Sequence, residues 1–119
     1  MPHRVVAREA LADFLAVLGH PLRIGLILAL AEDERDVSWL ADKVGASQAT
    51  VSAALGRLRA AHIVLDRREG RHVFYRLTSP TLARWLIDGL ALVEQETAQV
   101  GAVHDAVAQA RRALDGEGR

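Results

Sequence analysis

The sequence contains no cysteine. Disulfides, thiolate metal sites and thiol redox switching are therefore excluded. Proline occurs only at positions 2, 21 and 80, so little interrupts helix formation. No long apolar run is present either. The longest, Ile24 to Ala31, is broken by Gly25 and falls far short of a membrane span. The opening residues, MPHRVVAREA, lack the apolar stretch of a secretion signal. By elimination, a soluble cytoplasmic protein is expected. Net charge is also missing: fifteen basic side chains balance fifteen acidic ones. Whole-molecule attraction to a polyanion is excluded, whereas local charge segregation is not.

What is present is ordinary globular composition. With 119 residues, 50% of them hydrophobic and 25% charged, one domain is expected over 1–119. A core of that size is small, and a partner subunit would help it. Fourteen of the fifteen basic residues are Arg, leaving Lys43 as the lone lysine. They are not evenly spread. Arg57 to Arg76 holds six arginines against Asp66 and Glu69, whereas Asp88 onward holds six acids and three arginines. The middle of the chain is a basic patch with neutral to acidic flanks.

Apolar residues at Ala7, Leu11, Phe14, Leu15 and Leu18 have helical spacing. Gly19-His20-Pro21 ends that helix and starts another, with Pro at the first helical position. Leu22 to Ala31 is apolar nearly all round, as a central helix must be. The acidic stretch Glu32 to Asp36 is expected as a solvated surface turn. Val37 to Val44 forms a short helix, stopped by Gly45. Ser47 then caps a helix reaching about Ala61, with Val51, Leu55 and Leu58 inward. Two short helices joined by Gly45-Ala46-Ser47 make a helix-turn-helix over about 37–61. Two β-rich runs over about 63–77 flank a charged turn and read as a hairpin. Ser79-Pro80 opens a last, long helix in which Leu86, Val93, Val100, Val107 and Leu114 fall seven apart. Its second seam is poor, and Gly89 and Gly101 weaken the helix. The fold expected is mainly α with a small β-hairpin wing. Its order is helix–helix–helix–helix–strand–strand–helix, dimeric through helices at about 5–18 and 80–114.

This order has a physical logic for duplex DNA. An α-helix fits the major groove. The helix opening at Ser47 presents Gln48, Ala49, Thr50, Ser52 and Ala53 outward near its N-terminus. Gln reads an adenine edge, hydroxyls reach a base or phosphate, and Ala or a Thr methyl touches a thymine methyl. Arg57 and Arg59 lie on the outer flank and suit phosphates. Arg67, Arg68 and Arg71 at the hairpin, with His72, offer further backbone contacts. The alternative is a helical domain with a solvated arginine face.

The segments LADFLAVLGHPLRIGLILAL, LADKVGASQATVSAALGRLRAAHIV and DRREGRHVFYRL resemble the ArsR/SmtB winged-helix transcriptional regulators. The resemblance runs from Leu11 to about Leu92. It implies a homodimer, a palindromic double-stranded operator and an effector that changes DNA affinity. The chain departs from the family pattern at Ala54, often His there, and at His62, where Gly usually ends the recognition helix. Position 62 then needs a left-handed or frayed cap without glycine. Family metal sites are absent. The thiolate site would fall near Asp36 to Ser38, and the interfacial zinc site at Ser79, Thr81, Leu92 and Gln95, none of which suits it. Nickel is the remaining candidate ion, through His3 and His104 with a carboxylate such as Glu94, Glu96 or Asp105. The alternative is two exposed histidines with no ligand role.

Two functional readings stand. One is a DNA-binding regulator. The other is a dimeric adaptor acting through a second regulatory protein, using the surfaces of Trp39, Trp85 and the acidic last helix. An enzyme is not expected: there is no Gly-rich phosphate loop, no nucleophile triad spacing and no carboxylate pair on a cleft.

Overall fold

A computed structural model of the chain describes residues 2–117, with side chains over 6–102 and 104–114. Its elements are α1 (Pro2–Leu18), α2 (Pro21–Ala29), β1 (Arg35–Asp36), α3 (Val37–Val44), α4 (Gln48–Ala60), β2 (Val64–Glu69), β3 (His72–Leu77) and α5 (Thr81–Glu117). The chain divides into two compact units, Met1–Leu86 and Ile87–Arg119. The second is the distal part of α5, which continues helical through Gly101. No single helix among the described residues is long and apolar enough to cross a membrane.

Each boundary in the first unit has a local cause. Gly19 N–H bonds the Leu15 carbonyl at 2.8 Å, and Pro21 occupies the first turn of α2, so the axis bends by 86° between α1 and α2. Arg23 Nη1 donates to the Val17 carbonyl at 3.1 Å and ties α2 to the end of α1. Asp36 caps α3 by accepting the Trp39 N–H at 2.8 Å. Gly45 ends α3 with φ 70°, a left-handed geometry that an L side chain resists. Ser47 Oγ then accepts the Thr50 N–H at 3.1 Å and starts α4.

The end of α4 meets the expectation at position 62. His62 is the single non-glycine residue among those described with positive φ, at 60°. The Ile63 N–H reaches back to the Leu58 carbonyl at 2.9 Å, the long bond of a left-handed helix terminus. Gly70, with φ 60°, makes the β2–β3 turn. Only its first central residue is left-handed, as in a type II′ hairpin.

The core lies where α2, α3 and α4 meet the sheet. Leu26, Ile27, Leu40, Val51, Leu55, Leu58 and Val64 are fully buried. Ala83, at the start of α5, joins them. Among the described residues no polar or charged residue is buried, so nothing competes with the apolar drive.

The sheet is larger than a hairpin. Its order is β1-β3-β2, all antiparallel, with Arg35 opposite Tyr75 and Asp36 opposite Phe74. The acidic stretch expected to be a solvated turn thus ends in a third strand. Its Glu34 is not merely solvated either. Arg67 Nε donates to Glu34 Oε1 at 2.8 Å and Oε2 at 3.0 Å, and Arg67 Nη1 to Glu69 Oε2 at 2.6 Å. The Arg67 guanidinium also stacks 4.7 Å over the Phe74 ring. Its hydrogen bonds hold the Glu34 carboxyl below the usual carboxylate range, and Glu34, then Glu69, push Arg67 up in return.

Two predictions follow from these local geometries. His62→Gly removes a left-handed strain worth about 1 kcal/mol and raises the denaturation midpoint; a lowered midpoint would contradict the cap. Folding lowers the Glu34 pKa, so the tie contributes fully above the ordinary value of about 4.3. It is lost as pH falls through the lowered value. Glu34→Gln therefore flattens the acid limb of a stability–pH curve, read by thermal melts between about pH 5 and pH 3.

Candidate nucleic-acid interface

The apolar stripe of α4 decides what its opposite side does. Val51, Ala54, Leu55 and Leu58 are buried, so Gln48, Ala49, Thr50, Ser52 and Ala53 all face outward and are exposed. Ser47 is exposed too, but its hydroxyl is engaged twice. It accepts the Thr50 N–H and donates to Thr50 Oγ1 at 2.8 Å. Ser47 therefore sets the start of the helix, while Thr50 keeps its own hydroxyl proton free to donate. Ala54, 8% exposed, sits at the edge of the core rather than on the outward face.

The five arginines singled out from the sequence separate into two groups. Arg59 Nε lies 3.2 Å from Asp66 Oδ1, which ties the end of α4 to β2. Arg67 is held by Glu34 and Glu69 and lies mid-strand, not at the hairpin tip. By contrast, Arg57, Arg68 and Arg71 are exposed, and among the described residues no carboxylate pairs with them. Free guanidinium forks on a surface are what a phosphate-bearing ligand requires.

A groove of about 430 Å³ brings the two sets of residues together. Gln48 and Ser52 from α4 line one side, Arg71 and His72 from the wing another, and Asp36, Val37 and Ser38 a third. His72 is exposed, with Nδ1 3.6 Å from Asp36 Oδ2 and its ring 6.0 Å from that of Phe74. Sequence reasoning had found Gln48, Ser52, Arg71 and His72 separately. It missed Asp36 as a groove residue. A capping Asp directly before the apolar-periodic run Val37 to Val44 was the available signal. Glu34 carried no such signal, because its partner lies 33 residues away.

On the second flank of α4 a smaller groove of about 200 Å³ is lined by Thr50, Ala53, Ala54 and Arg57, with His20 and Arg23 from the start of α2. The outward face of α4 is thus open on both sides.

The His3 side chain lies outside the described residues. His104 is exposed on α5. Among the described residues no group of three or more His, Cys, Asp or Glu side chains is placed to hold an ion. One imidazole is not a nickel site, and no step is derived through a metal.

Residues 20–65, from the turn before α2 to the start of β2, match the model of "Bacterial regulatory protein, arsR family". A biofilm growth-associated repressor of Xylella fastidiosa is 41% identical over 73 residues, which are 61% of this chain and 64% of that protein. The chain thus spans rather less than two thirds of that relative's length. The crystal structure of the transcriptional repressor BigR from Xylella fastidiosa superposes with a TM-score of 0.66 at 35% identity, covering 78% of this chain and 95% of that one. A homodimeric winged helix-turn-helix DNA-binding domain from Mycobacterium bovis gives a TM-score of 0.70 at 25% identity, covering 82% and 90%. None of these descriptions is of an enzyme. The matched segment holds the capped pair α3–α4 and the outward face of α4, and the structural matches extend over the wing. On sequence and fold together, the chain belongs to the arsR family of bacterial regulatory proteins, with a winged helix-turn-helix fold.

Proposed function

We propose that the protein is a sequence-specific DNA-binding transcriptional regulator that binds a palindromic operator as a homodimer and represses, as its named relatives do. One observation carries the reading: the exposed polar face of α4 and the unpaired wing residue Arg71 line the same groove. In this reading α4 enters the major groove, where Gln48 takes a base edge and Ser52 and Thr50 take a base or phosphate. Arg57, Arg68 and Arg71 grip the backbone. Arg59 and Arg67 act differently, as struts that hold the wing and α4 in place.

Dimerisation is supported by unsatisfied apolar surface. Val93, Val100, Val107 and Leu114, all seven apart on α5, are about half or more exposed. Val6, Leu11 and Leu15 on α1 are likewise exposed. Apolar area left in water at about 25 cal/mol per Å² favours cover by a second copy. Two-fold symmetry then sets two recognition helices about 34 Å apart, one turn of the duplex. The adaptor alternative gains no comparable support, since nothing but solvent covers the α4 face that DNA would need.

The test is fluorescence anisotropy with the promoter duplex upstream of the protein's own gene. Arg68→Ala and Arg71→Ala weaken binding to every sequence, and each lowers the log–log salt slope by about one. Arg67→Ala leaves that slope near the wild-type value and lowers the melting temperature instead. A full loss of slope in Arg67→Ala, with none in Arg68→Ala or Arg71→Ala, would reverse the assignment of struts and contacts. Gln48→Ala loses roughly 1–3 kcal/mol on the operator and little on random DNA. Equal losses on both duplexes would remove Gln48 from base recognition.

A further inference from the structure

We propose that Asp36 is a positioning residue that holds His72 in the groove as a proton-dependent phosphate donor, so that DNA binds more tightly as pH falls through the imidazole range. The inference rests on the reading of this groove as the DNA-facing surface.

The two oxygens of Asp36 have separate partners. Oδ1 accepts the Trp39 N–H at 2.8 Å and caps α3. Oδ2 lies 3.6 Å from His72 Nδ1. The cap, and the pairing of Asp36 with Phe74 across β1–β3, fix this carboxylate where a free surface acid would rotate. His72 shares a sheet face with Phe74, two residues on, and its ring rests beside the Phe74 ring. At 3.6 Å the contact with Asp36 is an ion-pair distance and not a hydrogen bond, so it operates when the imidazole is protonated. With Nδ1 turned to Asp36, Nε2 is the ring nitrogen left to donate to a ligand.

The surrounding charges do not mask this pair. Glu69 stands opposite His72 across β2–β3, but its carboxylate takes the Arg67 guanidinium at 2.6 Å. Arg67 in turn is shared with Glu34 and lies over Phe74. Arg71 adjoins His72 and lines the groove with it. From α3 and α4 the groove receives Val37, Ser38, Gln48 and Ser52, none of which titrates. What remains at the groove is one carboxylate, one guanidinium and one imidazole. A phosphate that enters adds negative charge beside the ring and favours its cation, so binding takes up a proton. Arg71 supplies the constant part of the attraction and His72 the part that pH controls. Asp36, fixed by its cap, holds the ring through Nδ1 and so leaves Nε2 for the phosphate.

The experiment measures Kd for the promoter duplex and for a random duplex at constant ionic strength, at about pH 6, 7 and 8. The wild type is expected to bind both about three- to tenfold tighter at the lowest pH than at the highest. His72→Gln removes most of that difference. Asp36→Asn keeps the cap, because Asn caps as well as Asp, and leaves the melting temperature near wild type. It lowers affinity at about pH 6 toward that of His72→Gln. A His72→Gln profile identical to wild type overturns the inference and leaves the DNA reading standing. An Asp36→Asn profile identical to wild type removes Asp36 from the positioning role. No binding by the wild type at any pH or salt overturns both the inference and the DNA reading.

Discussion

Burial of one narrow stripe on α4 governs the rest of the structure. Val51, Leu55 and Leu58 are fully buried where α4 meets α2 and α3. Each such side chain stabilises by roughly 1.5–3 kcal/mol relative to exposure. Rotating the helix by one residue, about 100°, would carry Ser52 toward the core and Val51 and Leu58 toward water. No rotation near that size is tolerable. The outward face is therefore fixed by what lies inward, and Gln48 and Ser52 are held in place without making a stabilising contact of their own. Ser47 sets the first turn, His62 the last, and between them the helix has no freedom of register.

That division between inside and outside was legible in the sequence, because it is a matter of period. Apolar residues three and four apart, a glycine after Val44 and a serine before Gln48 are local signals of helix and cap. The change to alternation after Ile63 marked the wing in the same way. What stayed hidden was set by distance along the chain. β1 is two residues long, too short for any pattern, and exists only because β3 offers it an edge. Glu34 and Arg67 look like two members of two charge runs. Their pairing depends on the sheet that joins them, which no local window contains. Gly101 does not break α5. A glycine in a helix costs only about 1 kcal/mol, less than the twenty residues before it and sixteen after it gain by staying helical.

The basic segment Arg57 to Arg76 shows why clustering of charge in sequence overstates charge on a surface. Arg59 spends its charge on Asp66, and Arg67 on Glu34 and Glu69. A guanidinium has five donors in a rigid fork and can satisfy two carboxylates at once. The struts it makes are exposed and individually weak. Their value is geometric: Arg59 joins α4 to β2, and Arg67 joins β2 to Glu34 ahead of β1. The positive potential that a polyanion meets comes from the few arginines left over. In a chain of zero net charge that remainder is local, which favours binding dependent on orientation over nonspecific adhesion.

A contrast between the two units bears on how such a molecule is controlled. In Met1–Leu86 the recognition helix has its caps, its core and its wing supports within one chain. Neither a metal nor a cofactor is needed to hold the α4 face in position. The distal part of α5 is different, because most of its described side chains are exposed and Val93, Val100, Val107 and Leu114 are uncovered. On the DNA-binding reading, affinity for an operator depends on two rigid recognition units being presented together. A signal that altered the spacing of two copies would then change affinity by large factors without disturbing any residue that touches DNA. The lever for regulation thus lies in the surfaces that the single chain leaves unsatisfied. The α4 face itself, already fixed by its own core, has little left to adjust.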